Sequence, residues 1–481
     1  MPAAAVVTLD LGTSATKAAL WHGADLRAIA RAPLATSHPE PGHAEQDPHS
    51  WWDSVVDACA QLREHAGVDL DVVEAIGFSA ARETFALFDD DLRPLTAGIL
   101  WSDRRATEDA AALGDPATFR AATGVVLNAG SHGAKLAWVA REWPDAMARA
   151  RWVLAPRDVV LARMTGVVVT DETLASRTGL YALVEGSGFD DLRTRYGARL
   201  PRVVSSATVV GELTPDAARA LGLAPGARVV AGAGDRACEV LGTAASPDAP
   251  MVSWGTTANV SVPHPGPAGA LPAVAAVSRG ALGGFVVEAG LSAAGAALAW
   301  LSSVTGRTHD DLLTAAATVA PGASGVVALP WLAGARAPWW RPDAHGAFVG
   351  LTDAHGPAEL ARAVVEGVAL DTARCLELVA PEAQELVVAG GGAADDVWRR
   401  VLGAVTGCRV TRRTVDDAAS VGARLLVAAA LGEPIGVDDV NPVIAREQPD
   451  HELVAAYRPA RAASDAVAEA LLGMRVMSDE R

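Results

Sequence analysis

Asp10-Leu11-Gly12-Thr13-Ser14-Ala15-Thr16-Lys17 follows the apolar run Val6-Val7-Thr8-Leu9, and a second strand-then-turn appears downstream as Met251-Val252-Ser253-Trp254-Gly255-Thr256-Thr257. Each sets a glycine beside hydroxyl side chains where a strand reverses. Backbone N–H groups and Ser/Thr hydroxyls at such a turn converge on phosphate oxygens with no Cβ in the way. One turn in each half of the chain predicts a phosphate gripped from both sides. Neither is a G-x-x-x-x-G-K-[ST] loop, and a plain hairpin explains either one taken alone. A third cluster, Gly390-Gly391-Gly392-Ala393, follows the apolar strand Glu385 to Ala389. It lets a flat ring or a ribose approach the backbone closely, although a tight strand-to-helix turn calls for the same glycines.

These turns need a scaffold. The N-terminal segment alternates short β-rich runs (Val6 to Leu9, Ala18 to Trp21, Val73 to Phe78, Phe85 to Phe88) with a helical period from Trp51 to His65, the pattern of a mixed α/β sheet. In that helix Trp52, Val55, Val56 and Cys59 form one apolar stripe. A Pro/Ala/Ser stretch over 244–250 reads as a hinge. Beyond it the patterns predict a buried helix from Ala289 to Leu301 and a long helix from Pro357 to Val379, with Arg362 and Glu366 four apart on one face. Helices are also expected over Asp395 to Val405, Ser420 to Leu431 and the C-terminal end.

At 481 residues, half of them hydrophobic, the chain exceeds one ordinary core, and two large domains are expected. A formal charge of −17 repels nucleic-acid backbones and anionic membranes, which leaves a small molecule as the fitting partner. Cys59, Cys238, Cys375 and Cys408 lack C-x-x-C or metal spacing and read as reduced, buried thiols of a cytoplasmic protein. Asp10 interrupts the only candidate for a signal peptide. Phe285 to Val304 nears membrane length, but Glu288, its serines and its Ala/Gly content favour a buried helix. The histidines show no zinc spacing. Lysine occurs only at positions 17 and 135 among 40 basic residues, which singles out both.

Taken together, these segments resemble the FGGY carbohydrate kinases, members of the larger actin-like ATPase-domain group. The resemblance spans most of the chain. It rests on Gly346-Ala347-Phe348-Val349-Gly350-Leu351, the Arg362-Ala363-Val364-Val365-Glu366-Gly367-Val368 helix and Gly390 to Ala393, in the order and approximate spacing of that family. Asp10 to Lys17, Glu45-Gln46-Asp47-Pro48 ahead of Trp51-Trp52, Ile99-Leu100-Trp101-Ser102-Asp103-Arg104-Arg105, and Gly232-Ala233-Gly234-Asp235 add to it. The resemblance implies an α/β fold of two RNase H-like domains flanking a cleft, with 1–244 holding mainly the sugar and 245–481 mainly ATP. Closure would exclude water and limit wasteful ATP hydrolysis. Dimers are common in the resembling family, which leaves a homodimer open.

By the same resemblance, Asp235 is the base that accepts the proton of the attacking sugar hydroxyl. Asp10 orients Mg2+ through bound water, because Mg2+ keeps its hydration and takes few carboxylates. Gly12, Thr13, Ser14 and Lys17 would meet the transferred phosphate, Gly255, Thr256 and Thr257 the neighbouring ones, and Gly390, Gly391, Gly392 and Ala393 the adenosine. Without the family, an Asp after Gly at a strand end caps the next helix, here one starting at Arg236, and both roles can hold. Lys17 also fits an ordinary surface lysine.

The sugar pocket is ambiguous. Ser79-Ala80-Ala81-Arg82-Glu83-Thr84 stands where xylulokinases usually carry Gln-Met-His and glycerol kinases Gln-Arg-Glu-Thr, so Arg82 and Glu83 look like a donor fork and an acceptor for neighbouring hydroxyls of a short polyol. Gly130, however, falls where glycerol kinases tend to have a tyrosine that narrows the pocket, and there the chain resembles xylulokinases. Arg236 departs from both groups. It reads as an ion-pair partner of Glu83 or Glu239, or, with Arg82, as a two-arginine site for a sugar acid. Trp101 and Asp103 match a block lining the family's sugar cleft, with plain core and a helix cap as the alternatives. The leading expectation is an ATP-dependent kinase for a ketopentose such as xylulose. A polyol or aldonic acid kinase is the runner-up, and an actin-like nucleotide switch or a non-catalytic sugar sensor the reading from another class.

Overall fold

The computed structural model describes residues 5–67, 70–184, 187–188, 200–266 and 274–473; of the final forty residues, expected to be helical, only 474–481 lie outside them. Two seven-stranded sheets carry the architecture. The first contains β1 (Ala5–Leu11), β2 (Ala15–His22), β3 (Asp25–Pro33), β4 (Val73–Ala80), β5 (Val209–Glu212), β6 (Arg228–Val230) and β7 (Ala233–Gly234). Its order is β5-β6-β4-β1-β2-β3, with β7 also paired to β4. The second contains β8 (Met251–Trp254), β9 (Ala258–His264), β10 (Ala276–Arg279), β11 (Phe285–Gly290), β12 (Glu385–Ala389), β13 (Arg409–Arg413) and β14 (Val443–Glu447), in the order β10-β11-β9-β8-β12-β13-β14. One pairing scheme is used twice. From β1 or β8 the sheet runs through two parallel neighbours to an antiparallel edge on one side, and through antiparallel hairpin strands on the other. The expected pair of RNase H-like α/β units is the one observed.

The helices used below are α1 (Pro48–Ala66), α2 (His132–Glu142), α3 (Asp235–Thr243), α4 (Gly295–Thr305), α5 (Pro357–Val379), α6 (Asp396–Thr406), α7 (Ala418–Leu431) and α8 (His451–Gly473). Asp47 caps α1 by accepting the His49 N–H at 2.9 Å, and Gly67 closes it in the left-handed region. On α5 the expected Arg362–Glu366 pair forms at 2.7 Å, but inside the protein, where Glu366 also accepts from the Tyr457 hydroxyl of α8 at 3.0 Å. All four cysteines are free and buried.

The expected helix from Ala289 to Leu301 is corrected. Residues 285–290 form β11, buried throughout, and α4 begins only at Gly295. A strand covered on both faces loses its polar–apolar alternation, and here it runs into an Ala-rich helix, so periodicity cannot part the two. The apolar run of near-membrane length is thus a strand plus a helix. No helix among the described residues is long and apolar enough to cross a membrane.

The sheets meet where α3 crosses α7. A Cβ on Gly242 would collide with the Ala418 carbonyl, and one on Gly422 with the Cys238 carbonyl, so close approach requires both glycines. Val421, Leu425 and Val427 of α7 pack onto Val6, Ala75 and Val230 of the first sheet. A helix from the C-terminal half therefore completes the N-terminal core.

Candidate active site

Strands β1, β4 and β7 run parallel and end together, with Asp10 opposite Ser79 and Ser79 opposite Ala233. The carboxyl ends of parallel strands are where open α/β sheets collect ligands. From them project Asp10, the Arg82-Glu83 segment and Asp235. Gly234 is the capping residue of α3, and Asp235 is its first helical residue rather than its cap. Asp235 Oδ1 forms an ion pair with Arg82 Nε at 3.0 Å and accepts the Arg236 N–H at 2.6 Å. Both contacts fall on one oxygen, which leaves Oδ2 to a ligand hydroxyl. The side chain is 39% exposed, so a ligand can reach it.

Arg82 is gripped in turn from the second sheet. Its Nη1 and Nη2 donate to Glu288 Oε1 and Oε2 at 2.6 and 2.9 Å, a bidentate fork. Burial pushes the Glu288 carboxyl up, but Arg82, Arg177 and Arg236 outweigh it and hold the group well below the usual carboxylate range. The neighbouring Glu83 accepts from Arg177 Nη2 at 2.8 Å, and its backbone sits at φ 64°. Arg236 pairs with Glu239 at 2.5 Å, one of its two expected partners, while Glu83 is not engaged by it.

Trp101 is exposed rather than core, and its Nε1 donates to Thr13 Oγ1 at 2.8 Å, tying the cleft wall to the first hairpin. Asp103 is corrected. It is fully buried, accepting the Ala44 N–H at 2.7 Å and held at both oxygens by Arg105, whose Nη2 also reaches Glu45 at 2.7 Å. Neither a substrate contact nor a helix cap describes it; it anchors the segment, and the overlooked signal was the arginine two positions on. Lys135 of α2 donates to the carbonyls of Glu83 at 2.7 Å and Leu100 at 2.8 Å, pinning the two cleft segments to each other. Burial, only partly opposed by Glu83 and Asp103, brings its pKa down to about 8.

In the first hairpin the Gly12 N–H reaches Ala15 O at 3.1 Å. In the second, the Gly255 N–H reaches Thr257 O at 2.9 Å, and the Gly255 and Thr256 carbonyls accept N–H groups of residues 294–296 at the start of α4. The turn's carbonyls are thereby spent, and Gly255 and Thr256 lie exposed. Gly390 packs on that hairpin at φ 82°, where a Cβ would collide with the Trp254 carbonyl, whereas nothing lies within 4 Å of a Cβ on Gly391. Ala393 is buried beneath. The structure thus brings Gly255 to Thr257 and Gly390 to Ala393 together.

A residue missed in the sequence joins the halves. The Gly390 N–H lies 3.3 Å from Asp416 O, and the next residue, Asp417, stands 3.2 Å from Lys17 Nζ, which is 3.2 Å from Asp10 Oδ2. Burial pulls the Lys17 ammonium down, but Asp10 and Asp417 more than reverse this and leave its pKa raised. Asp10 is raised, by burial first and by Asp417 and Asp235 in addition, against the pull of Lys17. Lys17 is therefore no free surface lysine. The signal for Asp417 was an Asp-Asp pair directly ahead of a helix.

Twin sheets, each with an open glycine hairpin, flanking one half-free carboxylate make the fold and site those of a phosphotransferase. Residues 5–242 match the sequence profile described as "FGGY family of carbohydrate kinases, N-terminal domain", and residues 251–431 that of the C-terminal domain. The chain is 33% identical to the xylulose kinase of Klebsiella pneumoniae over 95% of its own length and 96% of that protein. It is 32% identical to the glycerol kinase of Trichlorobacter lovleyi over 89% and 90%. The crystal structure of xylulose kinase from Rhodospirillum rubrum superposes with a TM-score of 0.87 at 28% identity, covering 97% of this chain and 99% of that one. The protein belongs to the FGGY family of carbohydrate kinases, and it is an ATP-dependent sugar kinase.

Proposed function

We propose that the protein transfers the γ-phosphoryl group of ATP to a primary hydroxyl of a ketopentose such as xylulose, with Asp235 as general base. The observation that carries this reading is the half-free carboxylate of Asp235, held through Oδ1 by Arg82 and the Arg236 N–H. Phosphoryl transfer asks the protein for an oriented nucleophile and charge neutralisation rather than covalent help. Oδ2 takes the hydroxyl proton as the oxygen attacks. Thr13 and Ser14 of one hairpin and Thr256 and Thr257 of the other donate N–H and hydroxyl groups to the phosphates, the Gly12 and Gly255 N–H groups staying within their own turns, and Gly390 to Gly392 offer the adenosine a bare backbone.

Mg2+ fits the donor set. Asp10 and Asp417 present two hard oxygens beside the first hairpin, which suits an ion that keeps water and completes its shell with phosphate oxygens. Among the described residues no trio of His, Cys, Asp or Glu forms a protein cage, as such an ion requires none. When bound, Mg2+ would neutralise charge on the phosphates.

Gly130 supports a substrate longer than glycerol. Gly130 bears no side chain that could narrow the pocket, and a Cβ there would already crowd Trp101 O and Asn128 Oδ1, each 3.1 Å away. Similarity to the Klebsiella xylulose kinase over nearly the whole chain points the same way. A sugar acid is the second reading, favoured by Arg336, which lies in the field of Glu83 and Glu288 and, among the described residues, forms no ion pair. A coupled ADP-release assay over pentuloses, pentitols, glycerol and gluconate tests both. Strongest stimulation by a ketopentose supports the first reading, and strongest stimulation by gluconate the second. No stimulation by any member refutes both.

A further inference from the structure

We infer that Glu288, on the second sheet, is a positioning residue for the base on the first: it aims Arg82 so that Arg82 Nε holds Asp235 Oδ1. The inference rests on the reading of Asp235 given above. The chain of contacts is short and direct. Glu288 meets both terminal nitrogens of Arg82 at 2.6 and 2.9 Å, and the third nitrogen of the same guanidinium meets Asp235 at 3.0 Å. A planar fork held at two corners has its third corner fixed in space, which a single contact to a flexible ammonium would not achieve.

Glu288 is itself rigidly placed. It lies inside β11 between β9 and β10, opposite Ser261 and Ala276, and Ser278 Oγ donates to its Oε1 at 3.3 Å. It is buried, and Arg236 Nε stands 3.8 Å from its Oε2. The two arginines that frame the base, Arg82 and Arg236, thus share one carboxylate from the opposite sheet. A strand interior is a costly place for an isolated carboxylate, and the arginines of the cleft are what make it tenable.

The arrangement has a consequence for catalysis. Arg82 leaves β4 of the first sheet, whereas Glu288 belongs to the sheet that bears the Gly255 hairpin. The Arg82 hold on Asp235 is therefore set only while the two sheets are together, which couples this part of the base's orientation to closure over both substrates. Glu288 needs no contact with the sugar to do this. Its removal should slow the chemical step and spare ground-state binding, because misplacing a reacting group by about 1 Å costs about 10²-fold in rate.

The test measures sugar-dependent ADP release, with KM for each substrate and ADP affinity by calorimetry, for the wild type, Asp235→Asn, Glu288→Gln, Arg82→Gln and the double variant Glu288→Gln/Arg82→Gln. Glu288→Gln is expected to lower kcat about 10- to 100-fold with both KM values within about threefold. The double variant should be no slower than Arg82→Gln, since Glu288 acts through Arg82. A wild-type kcat in Glu288→Gln, or losses that multiply in the double variant, would overturn the inference. Should Glu288→Gln not fold, Glu288→Asp carries the test: a folded protein with impaired kcat supports the inference, and wild-type kcat refutes it. If Asp235→Asn keeps full activity, the reading of the base fails. If Asp235→Asn is inert while Glu288→Gln is unimpaired, only the inference about Glu288 fails.

Discussion

Replacing Lys17 by methionine keeps the stem and deletes the charge that stands 3.2 Å from both Asp10 Oδ2 and Asp417 Oδ2. At that separation each attraction is about 5 kcal/mol for an effective dielectric constant of about 20. Desolvation returns most of this. The Lys17 side chain is 30% exposed, so the expected net cost lies below that of breaking a fully buried pair. About 2–3 kcal/mol remains, or a fall in Tm of roughly 2–6 °C for a chain of this length. The pH dependence separates this cause from a packing defect. Lys17 has a folded pKa raised above its unfolded value, so its contribution is fully present below about pH 10 and fades only in stronger alkali. In the variant, Asp10 loses the charge that lowers its pKa and rises further. The native state then binds a proton more tightly than the unfolded chain above about pH 4, so stability falls as pH rises from there towards neutrality. Thermal and urea melts at pH 5 and pH 7 should show a larger deficit at pH 7. An unchanged Tm, or equal deficits at both pH values, would refute the reasoning.

Three further substitutions probe the rest of the site. Gly390→Ala forces a Cβ against the Trp254 carbonyl at a positive φ; it should cost about 1–3 kcal/mol and weaken ADP binding seen by calorimetry, while sugar binding persists. Lys135 has a folded pKa depressed to about 8, so the unfolded chain binds its proton more readily between about pH 8 and 10 and stability rises with pH there, by about 3 kcal/mol. Denaturation of Lys135→Met across that range should lack this rise. Gly130→Tyr sets a side chain tight against Trp101 O and should lower kcat/KM for a ketopentose about 100-fold while sparing glycerol, read in the same ADP-release assay.

Much of this architecture was legible because local chemistry and tertiary role coincide. Helix α5 was bounded correctly, from Pro357 to Val379, and Gly390 marks a turn that only glycine permits. Where burial removes the usual contrast, the reading failed. β11 is covered on both faces, so its pattern merged with α4. Asp103 looked available because its neighbours line the cleft, yet the contacts of Ala44 and Arg105 consume both oxygens. Asp417 and Glu288 escaped notice for another reason. Their significance is a contact across hundreds of residues, with Lys17 and with Arg82, and no spacing along the chain encodes it. Lys135 was conspicuous by its rarity, but carbonyl acceptors leave no mark in a sequence.

The central claim is that the carboxylate of Asp235 removes the proton from the sugar hydroxyl, and Asp235→Asn tests it most directly. The amide keeps an oxygen for Arg82 Nε and the Arg236 N–H but can no longer act as a base. Sugar-dependent ADP release should fall about 10²- to 10⁴-fold in kcat, equivalent to roughly 3–5 kcal/mol, with ADP affinity unchanged. A kcat close to that of the wild type, or a parallel loss of ADP binding, would contradict the account.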